Sequence, residues 1–280
     1  MIEVKILENG TVDRSGQDKF ITETAACEVC GPGKAVFFKK VKAHYSNHTF
    51  SIEKCTGCGL VFVNPRLSKE FRDFCYKNEK HLVEWFLGAK DYSIQYANFV
   101  MDIFAKNNIK GGELLEIGAG IGVFMDIATE NGFKCTGLEL NDLTAQYAQK
   151  KYKVYITDFY ELDLPDNSFD VIYMNHVLEH LGDPLVALKK CYQLLKPGGC
   201  IFIGIPRVDW LNLMLDKIRK DPELWTPEDH LYYYTPPVIK SLFKNSGLTQ
   251  QTIKGLDIKK RIKHQAGISN GVFLAKKVVK

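Results

Sequence analysis

The chain has 280 residues, 45% hydrophobic and 25% charged, which suits one large globular domain with a small companion. Its net charge of +4 is too mild to indicate a nucleic-acid ligand by itself. No stretch is apolar enough to span a bilayer, and MIEVKILENG lacks a basic region followed by an apolar core. The expected location is therefore cytoplasmic, where eight cysteines are expected as thiols or metal ligands rather than disulfides.

In chain order, residues 1–63 read as a small β-rich module. The runs Ala35–Val41 and Thr49–Glu53 alternate, and Gly31-Pro32-Gly33 marks a turn. Two Cys-x-x-Cys-Gly knuckles punctuate it, Cys27/Cys30 before Gly31 and Cys55/Cys58 before Gly59. Each pair supplies two soft thiolates, and four thiolates make a tetrahedral site, so a structural zinc is expected on Cys27, Cys30, Cys55 and Cys58. The gap between the pairs is somewhat longer than usual, which a two-hairpin ribbon tolerates. A redox dithiol is disfavoured because neither pair opens a helix after a strand. Cys75, Cys135, Cys191 and Cys200 fall among apolar residues and read as core thiols.

Asn64-Pro65-Arg66 breaks the chain, and Ser68 is a candidate N-cap. Residues 64–110 form a helical bridge, with Phe71, Phe74, Trp85, Phe86, Tyr96, Phe99, Val100, Ile103 and Phe104 at helical spacing. From 111 to 280 short apolar runs alternate with helical stretches. Strands are expected at Glu113–Ile117, Lys134–Glu139, Val154–Thr157, Phe169–Met174 and Cys200–Ile205, with helices over 123–131, 143–150 and 184–195. A helix near 237–245 and strands near 248–254 and 271–278 complete the set. Such alternation means βαβ units and a parallel, doubly wound α/β sheet.

The run Glu116-Ile117-Gly118-Ala119-Gly120-Ile121-Gly122 follows a strand and opens a helix. Glycines let the backbone turn sharply and approach a ligand, and a helix N-terminus offers free N–H groups. Dinucleotide sites space their glycines as G-x-G-x-x-G/A, whereas here they stand at 118, 120 and 122. Glu116 would face a pyrophosphate unfavourably and suits a ligand carrying an amino group and a sulfonium. Glu139 ends the next strand, where an acid can accept from ribose hydroxyls. Asp158 and Phe159 end the third, placed for an adenine amine and ring. Asn175-His176-Val177-Leu178-Glu179-His180 follows the fourth.

Glu113 to Pro206 thereby resembles the class I S-adenosylmethionine-dependent methyltransferase core, including Leu195-Lys196-Pro197-Gly198-Gly199. The resemblance implies a Rossmann-like seven-stranded sheet with an antiparallel last strand. It implies S-adenosyl-L-methionine as cofactor, held by Glu116, Gly118, Ala119, Gly120, Gly122, Glu139, Leu140, Asp158, Phe159 and Asn175. With the cysteine ribbon in front, the arrangement is similar to bacterial methyltransferases of small molecules, sugars among them. The acceptor partner is therefore expected to be a small molecule, with nucleic acid disfavoured.

An acceptor hydroxyl or carbon needs a base, and His180, His176 and His230 are the candidates, in that order. His176 and His180 would share one face of a helix. The letters His176-x-x-Glu179-His180 also match a zinc-peptidase pattern, but the methyltransferase core already accounts for them. Quinone-type O-methyltransferases carry a similar Leu-Glu-His run and can use a divalent ion there. Residues 207–235 read as an aromatic lid insert, with Trp210, Leu211, Met214, Leu215, Trp225 and Tyr232-Tyr233-Tyr234. The rival readings are an RNA or DNA methyltransferase using Lys39, Lys40, Lys42, Lys259, Lys260, Arg261 and Lys263, and a non-catalytic binding module. Acceptor atom and oligomeric state leave no trace in the sequence.

Overall fold

The computed structural model describes residues 4–206, 225–254 and 270–278. The expected lid residues 207–224, with Trp210, Leu211, Met214 and Leu215, lie outside the described residues, as do Lys259, Lys260, Arg261 and Lys263.

Proline, a cap and helical periodicity shape the first part of the chain. Strands β1 (Ile21–Glu23), β2 (Ala35–Lys42), β3 (Thr49–Cys55), β4 (Val61–Val63) and β5 (Arg66–Leu67) precede helix α1 (Lys69–Asn78). The Ser68 side chain caps α1 by accepting from the Phe71 amide at 3.3 Å, and Phe71 and Cys75 are its buried residues. Helix α2 (Leu82–Gly88) buries none of its side chains fully. Helix α3 (Lys90–Lys106) buries Ala97, Val100, Met101, Ile103 and Phe104, the three- and four-residue spacing of one helical face.

The second part alternates as the sequence predicts: β6 (Gly112–Ile117), α4 (Val123–Glu130), β7 (Phe133–Glu139), α5 (Asp142–Ala148), β8 (Lys153–Ile156), β9 (Phe169–Asn175), α6 (Pro184–Leu194) and β10 (Leu195–Pro206). Then come β11 (Tyr232–Tyr233), α7 (Pro236–Ser246), β12 (Leu248–Gln251) and β13 (Asn270–Lys277). Asp183 caps α6 and Pro184 stands in its first turn, where a missing N–H costs nothing. The seven-stranded sheet runs β12-β13-β10-β9-β6-β7-β8. Pairings β6 with β7 and β9, β7 with β8, and β9 with β10 are parallel. Strand β13 is antiparallel to both of its neighbours. One core of buried residues covers one face, centred on Leu115, Ile117, Met174 and Ile203; Leu114, Tyr173, Phe202 and Leu274 anchor the other.

Several details differ from the sequence expectation: Arg66–Leu67, inside the expected helical bridge, form strand β5, and Tyr232–Tyr233, expected in the lid insert, form the buried strand β11. Lys196–Gly199 is not a separate turn but the start of β10, whose pairing with β9 shifts register between Leu195 and Cys200. The strand expected to reach Lys254 ends at Gln251.

A second sheet contains β11-β4-β3-β2 in that order. Its edge strand comes from beyond β10: Tyr232 pairs with Phe62 and Tyr233 with Val61. Cys27, Cys55, Leu60 and Phe62 also belong to the same buried cluster as Leu115, Ile203 and Tyr232. The ribbon and the large sheet thus share one continuous core. No helix among the described residues is long and apolar enough to cross a membrane.

Candidate active site

The strand order reverses between β6 and β9, and open α/β sheets bind ligands outside the carboxyl ends at such a point. There the structure has a cavity of about 210 Å³. Its wall takes Gly118 from the glycine loop and Glu139 and Leu140 from the end of β7. Asp158 and Phe159 come from the end of β8, and His176 and His180 from the segment after β9. Of the other residues expected at the cofactor, Glu116, Ala119, Gly120, Gly122 and Asn175 are not on that wall.

The glycine loop is built as its spacing requires. Gly118, Gly120 and Gly122 have φ of +78°, +52° and +86°, a region that only glycine enters freely. A side chain on Gly118 would run into Val177, and one on Gly120 into the Phe86 ring of α2. Glu139 is 2% exposed and anchors the loop. Its Oε2 accepts from the Gly120 amide at 2.8 Å, and Oε1 accepts from Leu140 and Asn141 at 2.7 and 2.9 Å. Burial raises its pKa, and those three amides oppose the rise.

Glu116 is also buried, and its Oε2 has no hydrogen-bond partner. Burial, reinforced by Glu139, lifts its pKa well above the ordinary carboxyl value. Asn175 Oδ1 is likewise buried without a partner. Gly204 leaves the room for it, since an added Cβ would fall on Asn175 Oδ1 and the Tyr96 hydroxyl. Two unsatisfied buried acceptors beside a glycine cradle fit a ligand that brings its own donors, an amino group among them. Nothing in the sequence pattern marked Gly204 or Tyr96 for this role.

Asp158 is already engaged. Its Oδ2 pairs with Lys69 Nζ at 2.8 Å, and Oδ1 accepts from the Tyr160 amide at 2.7 Å. Phe159 is 4% exposed and packs into the core beneath the cavity. Lys69, together with Arg14, Arg72 and Tyr76 on the same wall, was not legible as a site residue, because each comes from far upstream.

The segment carrying the histidines is not a helix. His176 has φ +53°, and only Leu178–His180 makes a single 3-10 turn, so His176 and His180 do not share a helical face. The His176 amide donates to Gly204 O at 2.8 Å, which binds the segment to β10. His176 Nδ1 lies 3.3 Å from Glu179 Oε1. Glu179 is 1% exposed; burial favours its neutral form, but His176, His180 and His230 outweigh that and bring its pKa down to about 2. His180 Nδ1 is 2.8 Å from the Asp229 carbonyl. A carbonyl oxygen can only accept, so Nδ1 carries the proton and Nε2 keeps a free lone pair. His230 packs edge-on to His180 with ring centroids 4.9 Å apart, and it is absent from the cavity wall. Its burial above all lowers its pKa to about 4, so it stays neutral at neutral pH. Glu179, His180 and His230 bring ligand atoms within 4.8 Å of one another, a set able to take a divalent cation.

The four ribbon sulfurs lie within 4.8 Å of one another, Cys27 Sγ and Cys58 Sγ at 3.4 Å. A tetrahedral zinc with bonds near 2.3 Å needs sulfurs about 3.8 Å apart, so the set fits such an ion. Gly31 and Gly59 close the two knuckles, their amides donating to Cys27 O and Cys55 O at 2.7 and 2.9 Å. Cys75, Cys135, Cys191 and Cys200 are buried thiols whose burial raises their pKa values.

The sheet order, the glycine loop and the ligand edge define a class I S-adenosylmethionine-dependent methyltransferase. The chain belongs to the methyltransferase-domain family, which matches residues 89–253. It is similar to an uncharacterized protein of Methanocaldococcus jannaschii, 31% identical over 176 residues, covering 61% of this chain and 83% of that one. A ubiquinone biosynthesis O-methyltransferase of Vibrio cholerae is 25% identical over 171 residues, 57% of this chain and 69% of the relative. Among solved structures, the methyltransferase held in a complex with the Trm112 methyltransferase activator of Haloferax volcanii superposes with a TM-score of 0.53. That pair shares 15% identity over 71% of this chain and 94% of the other, a likeness of fold.

Proposed function

We propose that the protein methylates a small-molecule acceptor held in the cavity between Glu139, Asp158 and His180. The observation that carries this reading is one partly open cavity of about 210 Å³ walled both by the acids at the ends of β7 and β8 and by His176 and His180. A ubiquinone biosynthesis O-methyltransferase among the relatives supports a small acceptor. Glu116, Gly118, Ala119, Gly120, Gly122, Glu139, Leu140, Asp158, Phe159 and Asn175 would hold S-adenosylmethionine. When bound, it supplies an electrophilic sulfonium methyl. The chain then has to align the acceptor with that methyl and remove a proton where the acceptor is a hydroxyl or carbon acid. His180 is the proposed base because its Nδ1–H is fixed on Asp229 O, leaving Nε2 to take a proton. His176 is turned to Glu179, and His230 lies off the wall, so both are secondary candidates. Zinc on Cys27, Cys30, Cys55 and Cys58 is part of the proposal.

Of the ribbon lysines that a nucleic-acid reading would use, Lys39 lies 4.2 Å from the centre of the Trp225 ring and so faces the protein's own aromatics.

Calorimetry of S-adenosylmethionine, S-adenosylhomocysteine and NAD against the parent chain and Glu139→Ala tests the site. The first two should bind at micromolar concentration and NAD should not. Glu139→Ala should weaken binding tenfold or more, about 1.4 kcal/mol, because the glycine loop loses its anchor along with the acid. Equal affinity in the variant would remove Glu139 from the site.

A further inference from the structure

The edge of the ribbon sheet is contributed by the catalytic part of the chain, and this junction lies directly behind the histidine segment. Strand β11 follows Asp229 and His230 without a break. The Val63 amide in β4 donates to Leu231 O at 3.0 Å, and the Leu231 amide donates to Glu179 O at 2.9 Å. Backbone hydrogen bonds therefore run from the ribbon through residue 231 to the residue preceding His180. The carbonyl that fixes the His180 tautomer, Asp229 O, sits two residues before this link.

A side-chain junction parallels the backbone one. The Tyr232 hydroxyl donates to Gly182 O at 2.8 Å, at the far end of the histidine segment. Arg66 Nη1 donates to that hydroxyl at 2.9 Å, and Nη2 donates to Gly182 O at 3.2 Å. Arg66 Nε donates to Glu23 Oε1 at 2.7 Å, and Glu23 Oε2 is 3.1 Å from Arg72 Nη1. Glu28, inside the first cysteine knuckle, lies 3.2 Å from the same Tyr232 hydroxyl. Arg66 is 4% exposed and Tyr232 1%. A buried guanidinium, a buried phenol and one backbone carbonyl thus join the knuckle to the cavity wall.

We propose that the N-terminal ribbon sets the geometry of the acceptor side of the active site, with Tyr232 and Arg66 as positioning residues for His180. The proposal rests on the reading of His180 as the base. The ribbon acts through two routes: β4 holds β11 and hence Asp229 O, and Arg66 with Tyr232 holds Gly182. Neither route runs through the glycine loop or Glu139, whose partners are Gly120, Leu140, Asn141 and the Tyr76 hydroxyl. Disturbing the junction should therefore change the histidine without changing cofactor affinity.

The test uses the full chain and two variants, Tyr232→Phe and Arg66→Gln. Tyr232→Phe keeps the buried ring and removes only the hydroxyl, so it decides the matter even where Arg66→Gln fails to fold. The readout is nitrogen NMR of the His180 ring, with S-adenosylhomocysteine calorimetry alongside. The parent should show His180 protonated at Nδ1. Tyr232→Phe should lose that bias and populate the Nε2–H form, while S-adenosylhomocysteine affinity stays within about twofold. A His180 ring unchanged in a folded Tyr232→Phe protein overturns the proposal. So does a parallel loss of cofactor affinity, which would make the junction a general structural support. A parent that binds no S-adenosylhomocysteine would refute the cofactor reading and leave the tautomer result to be judged separately.

Discussion

At the scale of single residues, the candidate site buries the carboxyl groups of Glu139 and Glu116, and it accommodates each differently. Glu139 is buried with three amides on its oxygens, whereas Glu116 is buried with one oxygen unpartnered. The second arrangement has a consequence for stability. Glu116 has a folded-state pKa raised well above its ordinary value, so the unfolded chain releases its proton first as pH rises. Below the ordinary carboxyl value the group is neutral in both states and costs nothing. Above it, the unfolded state gains from ionising and the folded state does not, so stability is lost as pH climbs toward the folded pKa. Glu116→Gln removes that loss while keeping the shape. The ligand-free variant should melt higher than the parent at neutral pH, and the difference should shrink to nothing below about pH 4. S-adenosylmethionine should bind it more weakly, because a neutral amide is a poorer partner for an ammonium group. Thermal melts across pH decide the point: a variant less stable than the parent at neutral pH would mean that Glu116 is not held neutral.

At the scale of elements, what could be read from the sequence was what local pattern controls. β6, β9 and the inner half of β10 are buried on both faces and appear as apolar runs, and Asp183-Pro184 announces α6. The acids at the ends of β7 and β8 were legible for the same reason, since strand ends fix where a side chain meets the ligand edge. The histidine segment was not. Four-residue spacing suggests a helix, but His176 adopts a left-handed conformation so that its amide reaches Gly204 O, a partner that only the folded sheet supplies. β11 was hidden more completely. Tyr232 and Tyr233 form a strand because β4, about 170 residues earlier in the chain, offers them an edge. Lys69 and Arg14 reach the cavity by the same kind of long-range packing.

At the scale of the whole molecule, the ribbon is built into the methyltransferase fold, and this shapes the expected response to metal loss. A ribbon joined by a linker alone would melt independently of the large sheet. Here Cys27, Cys55, Leu60 and Phe62 lie in one buried cluster with Leu115, Met174, Ile203 and Tyr232, and β11 closes the ribbon sheet. If zinc is held there as proposed, its removal takes away the centre that joins the two knuckles and so loosens the segments that frame Cys27 and Cys55. That loss spreads into the shared core instead of stopping at residue 63. The purified chain should carry about one zinc per molecule and unfold in a single thermal transition. Chelation should lower that transition as a whole by about 5 °C or more, since 1 kcal/mol is worth roughly 2–4 °C in a domain of this size. Calorimetric melts with and without chelator distinguish the two architectures. A separate low-temperature step, with the main transition unmoved, would show that the ribbon is an independent unit despite its shared strand.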